Sequence, residues 1–170
     1  MMNLAHLDDY FETPLWLFNQ IEEQTGLKFD IDASANKQNS KCDLYISEEI
    51  NSLKYDWLPQ NCLEKVDGAL EKTSRSMGNL SIFLNPPRSK NSKFVGALYR
   101  NWEIYNVDIV ALLCWNDLGN KYGEKLLPHI LNGEIIVGNL GKIKFDKNGI
   151  ESKYPSRLTY FWAWFKKRDY

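Results

Sequence analysis

What this chain has little of narrows the possibilities first. Only three cysteines occur in 170 residues, Cys42, Cys62 and Cys114. Their number is odd and they share no metal-ligand spacing, so neither a disulfide framework nor a zinc site is expected, and the thiols suit a reducing compartment. No apolar run is long enough to span a bilayer, and the start lacks the charged-then-apolar pattern of an export signal. A cytoplasmic location is therefore expected, with no membrane partner and no metal. Positive charge is not in excess either. With 21 Lys and Arg against 22 Asp and Glu the net charge is −1, so any nucleic-acid contact has to be local. The glycines, ten in all, do not form the Gly-rich fingerprint of a dinucleotide site. Internal repeats, low-complexity tracts and domain boundaries are absent. What is present suffices for one well-buried domain, with 44% hydrophobic and 25% charged residues. Aromatic residues reach 14%, six of them tryptophans, which exceeds the needs of a minimal core and suggests that some rings face ligands.

The most informative stretch is residues 80–88, Leu-Ser-Ile-Phe-Leu-Asn-Pro-Pro-Arg. Its apolar run reads as a strand buried on both faces, and Pro86 and Pro87 end the ladder because neither can donate a hydrogen bond. Each proline also holds the residue before it extended, which stiffens Asn85 and Pro86 at the carboxyl end of the strand, the edge where ligands bind in open α/β sheets. Such a corner offers two acceptors, the Asn85 side-chain oxygen and the Pro86 carbonyl. Together they can grip both hydrogens of an amino group conjugated to a ring and turn its lone pair toward an electrophile, by positioning and fixed dipoles. A proline-ended strand running into a polar turn is the plain alternative, and the tetrapeptide alone does not separate the two.

Read in order, residues 1–9 suggest a flexible leader and 10–170 a single domain. Thr13 as N-cap, Pro14 at the first helical position and Gly26 at C′ predict a helix over 14–25, with Leu15, Trp16, Leu17, Phe18 and Ile21 on its apolar face. Residues 27–36 read as a strand entering a loop of small polar residues, where acidic groups at a strand end suit hydroxyl or amino groups of a ligand, or simply cap a turn. A short strand follows over 43–47. Residues 60–79 are expected as a flexible excursion with a little helix over 63–72. After the Asn-Pro-Pro corner, Asn91 or Ser92 caps a helix whose apolar side holds Phe94, Val95, Leu98 and Trp102. Residues 108–115 predict a second fully buried strand, whose polar exit Asn116-Asp117 shares an edge with Asn85 if the two are parallel. A helix over 121–131 and strands over 133–138, 141–145 and 158–165 complete the chain, the first two strands paired through Asn139-Leu140. The order indicates an α/β fold with a mostly parallel central sheet and an antiparallel edge. Local cations sit near the corner, Arg75, Arg88, Lys90, Lys93 and Arg100, while Lys166, Lys167 and Arg168 read as solvated surface charge.

Taken together, Tyr10-Phe11-Glu12-Thr13-Pro14 before a helix, the segment 29–36, Tyr45, Leu53 with Trp57, Asn85-Pro86-Pro87, the segment 138–145, Pro155-Ser156 and the last aromatic strand resemble the phage-type DNA adenine methyltransferase family. These are small Dam-like enzymes that methylate the exocyclic amine of adenine from S-adenosylmethionine. The likeness covers residues 10–165. It implies a Rossmann-like methyltransferase fold with helices on both faces of the sheet. It further implies a cofactor site at Tyr10, Phe11, Thr13, Pro14, Asp30, Asp32, Ala33, Tyr45 and Asn85, and a catalytic motif of Asn85, Pro86, Pro87 and Arg88. DNA would then meet Arg88, Lys90, Lys93 and Trp115. Arg88 departs from the family pattern, which has an aromatic residue there to stack on the extruded base. A guanidinium can stack as well, or can hold a phosphate. Trp115 is either a replacement ring or part of the core. Base specificity would fall to residues 60–79 and 88–93. Two other functions share these residues: a module of the same fold that binds without catalysing, and a methyltransferase for cytosine or protein glutamine.

Overall fold

Apolar runs alternating with amphipathic segments set the architecture. A computed structural model describes residue 9 and residues 11–64, 79–119 and 121–168. Expectations for the leader up to residue 8, for Tyr10 and for residues 65–78, Arg75 included, lie outside the described residues. Three helices, α1 (Leu15–Thr25), α2 (Asn91–Tyr105) and α3 (Lys121–Leu131), accompany the strands β1 (Ile31–Asp32), β2 (Leu44–Tyr45), β3 (Leu63–Glu64), β4 (Ser81–Leu84), β5 (Asp108–Cys114), β6 (Ile135–Gly141), β7 (Asp146–Lys147), β8 (Ile150–Glu151) and β9 (Tyr160–Phe165). Seven of them form one sheet in the order β3-β2-β1-β4-β5-β9-β6. Its centre, β2-β1-β4-β5, is parallel. Antiparallel pairing occurs at both ends, through β3 on one side and β9 on the other. The fold is thus mixed α/β around a mostly parallel central sheet.

Layering follows from the two-residue period of β4 and β5. Ile82, Leu84, Ile109, Ala111 and Leu113 pack with Phe94, Leu98 and Trp102 of α2 and Leu126 of α3. Phe83, Val110 and Leu112 point the other way, against Leu17, Phe18 and Ile21 of α1. Both faces are covered and every residue of β4 and β5 is buried, which is why the two strands read as continuous apolar runs. Each fully buried Ile, Leu or Phe contributes about 1.5–3 kcal/mol.

Several local expectations need correction. At α1 the N-cap residue is Pro14, with no side-chain cap. Its carbonyl accepts the first intrahelical bonds, from the Leu17 and Phe18 N–H groups, both at 3.1 Å, so the helix starts one residue later than expected and Thr13 lies outside the cap position. Leu15 and Trp16 are 59% and 53% exposed, because the stripe through Leu17, Phe18 and Ile21 leaves them outside its arc of about 100°. The C-terminus stops as expected, at left-handed Gly26 (φ 70°).

At α2 neither Asn91 nor Ser92 caps. A short 3-10 turn over Arg88–Lys90 feeds the helix directly, with Lys90 at the cap position and no side-chain hydrogen bond.

The largest difference lies near the end of the chain. No strand forms over 141–145. β6 instead continues to Gly141 and pairs with β9, with a bulge at Asn139/Gly141 where Gly141 has φ +68°. The hairpin falls later, between β7 and β8, at Asn148 (φ 52°) and Gly149 (φ 73°). Positive φ at both central residues is the Asn-Gly signature of a tight hairpin turn. Leu63 and Glu64, expected to open a helix, form β3 against β2.

Candidate active site

Strand order reverses between β1 and β4. The chain leaves β1 for β2 and β3, then returns to the other flank of β1 as β4 and β5. Carboxyl ends of parallel strands open a crevice at such a point. Asn85 and Pro86, the first residues beyond β4, stand beside that point and line a cavity on its β5 side, together with Phe11, Arg88, Asn91, Leu112, Cys114, Phe145 and Tyr160. The cavity is about 20 Å³, enough for about one water-sized molecule. A purine can enter only if the walls part.

The walls are held by identifiable contacts. Asn85 Nδ2 donates to the Phe11 carbonyl at 3.3 Å. That commits the donor side of the amide and leaves Oδ1 as its acceptor. Phe11 stacks on Phe145 with ring centres 5.3 Å apart and planes 8° apart, and Phe145 meets the Tyr160 ring edge-on at 5.0 Å. The backbone pins the same segment, since Glu12 and Asp146 exchange N–H···O bonds of 2.9 and 3.0 Å. Thr13 and Pro14 are buried behind it.

On the opposite wall Arg88 makes a bidentate pair with Asp117, its Nη1 on Oδ2 and its Nη2 on Oδ1, the second contact at 2.9 Å. Asn91, 7% exposed, donates through Nδ2 to Asp117 Oδ2 at 2.8 Å and to the Tyr122 hydroxyl at 3.1 Å. Its Oδ1 is buried and has no hydrogen-bond partner among the described residues. One carboxylate therefore orients both an arginine and an asparagine at the cavity rim.

The acidic residues separate. Asp32 ends β1 beside Tyr45 of β2, and its carboxylate accepts the Ser34 and Lys41 N–H groups at 3.4 and 3.2 Å. Ala33, fully buried, donates its N–H to the Phe83 carbonyl at 2.9 Å. Asp30 instead braces the amino end of β4, accepting the Ser81 N–H at 3.0 Å. That level lies four residues before Asn85, roughly 13 Å at about 3.3 Å per residue. Cys42, packed in the α1 core, has its thiol held well above the usual range by burial first and by Asp32 next. The Asp146 carboxyl is also raised, chiefly by burial, with Glu12 and Glu151 adding and Lys41 opposing.

Of the residues expected to meet nucleic acid, Arg88 lines the cavity, while Lys90 pairs with Glu48 at 3.0 Å. Lys93 is exposed on α2. Trp115 lies 4.3 Å from the Phe161 ring and donates to Asn139 Oδ1 at 3.1 Å, away from the cavity lining. Arg100 pairs with Asp56 at 3.2 Å. Asp9 accepts from the Ser89 N–H and hydroxyl at 2.7 and 2.5 Å, tying the residue before Tyr10 to the loop after Asn85. Sequence reasoning missed the aromatic pair Phe145 and Tyr160, and missed Asn91 and Asp117. The surplus of aromatic residues was the available signal for the rings, and the shared edge of Asn85 and Asn116-Asp117 was the signal for the carboxylate.

Among the described residues no helix is long and apolar enough to cross a membrane, and no three His, Cys, Asp or Glu side chains converge as a metal site would require. Comparison with known proteins gives two findings. A DNA N-6-adenine-methyltransferase of Haemophilus phage HP1 (strain HP1c1) is 29% identical over 105 residues, which is 62% of this chain and 49% of that protein. The chain therefore spans about half the length of that curated relative. Residues 3–150 match the family described as DNA N-6-adenine-methyltransferase (Dam), and with most of its length inside that match the chain belongs to this family.

Proposed function

We propose that this protein methylates the exocyclic amine of adenine in DNA, using S-adenosylmethionine, on a Rossmann-like methyltransferase fold in the cytoplasm. The observation that carries the reading is Asn85-Pro86 at the switch point of the sheet, facing a cavity, in a chain of the Dam family. The order β3-β2-β1-β4-β5 followed by β6 supports that reading, as it follows the doubly wound sequence of strands with β3 reversed at one edge and β9 inserted as a reversed strand. The donor set suits the cofactor. Asp32 offers a carboxylate at the end of β1, Phe11 an acceptor carbonyl, and Ser34 and Ala35 small side chains where a nucleoside has to approach backbone. Thr13, Pro14 and Tyr45 are buried, and they are assigned to the same cofactor site, with Tyr10 joining them by sequence position. When bound, S-adenosylmethionine supplies an electrophilic sulfonium methyl.

The residues do the rest by positioning. Asn85 Oδ1 and the Pro86 carbonyl accept the two hydrogens of the target amine, which turns its lone pair out of the ring plane for in-line attack. Pro87 keeps the corner stiff. The surplus proton leaves to solvent after transfer, so no strong base is needed. The base reaches this corner only when swung out of the helix.

The bidentate pair with Asp117 engages one donor on each Nη of Arg88 and fixes the plane of its guanidinium. Stacking on an extruded base uses a face of that fixed plane. Arg88 thus stands in for the usual ring as a stacking plane. Incubating the protein with labelled S-adenosylmethionine and mixed-sequence DNA, followed by mass analysis of nucleosides, tests the reading. N6-methyladenine is the expected product, and label on cytosine, on protein or nowhere would refute it.

A further inference from the structure

Residues 142–157, between β6 and β9, form a two-stranded arm. Ile143 and Ser156 bond across its base, with the Ser156 N–H on the Ile143 carbonyl at 2.7 Å and the Ile143 N–H on Ser156 Oγ at 3.1 Å. The Ser152 N–H reaches the Phe145 carbonyl at 2.9 Å, and β7 and β8 close the tip at Asn148-Gly149. Alternation then sorts the first leg. Ile143 and Phe145 are buried, while Lys142 and Lys144 face solvent.

The arm concentrates charge of one sign. It carries Lys142, Lys144, Lys147, Lys153 and Arg157 against only Asp146 and Glu151, in a protein of net charge −1. All five cations are exposed, and none makes an ion pair among the described residues, unlike Arg88, Lys90 and Arg100. Two apolar groups are exposed on the same arm, Ile150 at 73% and Tyr154 at 71%, and the Lys153 ammonium lies 5.3 Å from the centre of the Tyr154 ring. The arm is also tied to the cavity: Phe145 is both its residue and a cavity wall, and Asp146 at its tip strand bridges to Glu12 beside Phe11.

We infer that this arm is the surface that grips duplex DNA, its cations on phosphates and its tip toward a groove. A two-stranded ribbon fits the major groove. Unpaired lysines and an arginine on both legs suit phosphates flanking that groove, and the connection through Phe145 sets the duplex beside the pocket that an extruded adenine enters. The inference rests on the DNA reading above.

The test is anisotropy of a fluorescent DNA duplex across a salt series, which needs no cofactor. The variant replaces Lys142, Lys144 and Lys147 with serine. A control replaces Lys54, Lys125 and Lys166, also exposed, for the same change of charge. The arm variant should bind about tenfold or more weakly, and its salt slope should flatten by about 0.9 for each phosphate that the arm no longer neutralises. The control should weaken far less, and S-adenosylmethionine affinity measured by calorimetry should be the same in all three proteins. Equal weakening in arm variant and control would overturn the inference, as would a wild-type preference for duplex RNA. A wild type that binds duplex through the arm but ignores S-adenosylmethionine would sink the methyltransferase reading and leave the arm standing.

Discussion

Asn85 and Arg88 are three residues apart and depend on different partners. Asn85 is oriented from the α1 side by the Phe11 carbonyl, and Arg88 from the α2 side by Asp117. Pair geometry gives Asp117 two effects that can be measured apart. Hydrogen bonds to charged groups contribute about 1.5–3 kcal/mol each, so Asp117→Asn should lower the denaturant midpoint at an unchanged slope. Without a fixed stacking plane, at about 1–3 kcal/mol per base, methyl transfer should also fall about tenfold or more. Asp117→Glu, which keeps the charge, should recover part of the rate, and S-adenosylmethionine affinity should not move. A fall in rate matched by an equal fall in cofactor affinity would mean that Asp117 merely holds the fold together.

Between elements, the antiparallel insertion of β9 is the feature most sensitive to a single atom. The Trp162 indole lies across β6 so closely that a Cβ on Gly138 would stand 2.2 Å from its ring. That ring is buried and its Nε1 is held by Gln24 of α1 at 2.9 Å, so it cannot swing aside cheaply. Gly138→Ala should therefore destabilise by about 1–3 kcal/mol, the usual penalty for overpacking, read as a lower thermal midpoint. Gly138→Ala without any such drop would contradict this packing. The same region shows what a sequence hides at this scale. Gly138, Asn139, Leu140 and Gly141 invite a turn, yet pairing to β9 along most of β6 outweighs the local preference. The turn moves to Asn148-Gly149, the stronger hairpin signal in the segment.

For the whole molecule, legibility tracked the distance along the chain over which each feature is decided. The buried run of β4, its arrest at Asn85-Pro86 and the α3 boundaries all rest on neighbouring residues and were readable, whereas the parallel pairing of β4 with β5 joins residues 27 apart and entered only as a condition. The capping role given to Thr13 failed because the helix starts one residue later, with Pro14 at the cap position and no side-chain oxygen there to accept. Phe145, Tyr160 and Asp117 reach the cavity from separate elements, with Asp117 lying 29 residues from Arg88, and no periodicity encodes that meeting. Charge behaves similarly. A near-neutral total conceals a basic arm, because the compensating acidic residues lie elsewhere on the surface.

The most direct measurement is a pair of assays on Asn85→Ala: incorporation of labelled methyl into adenine, and calorimetry with S-adenosylmethionine. If Asn85 positions the target amine, incorporation disappears into background while cofactor affinity stays within a few-fold of the wild type. Wild-type rates of adenine methylation in Asn85→Ala would contradict that role outright.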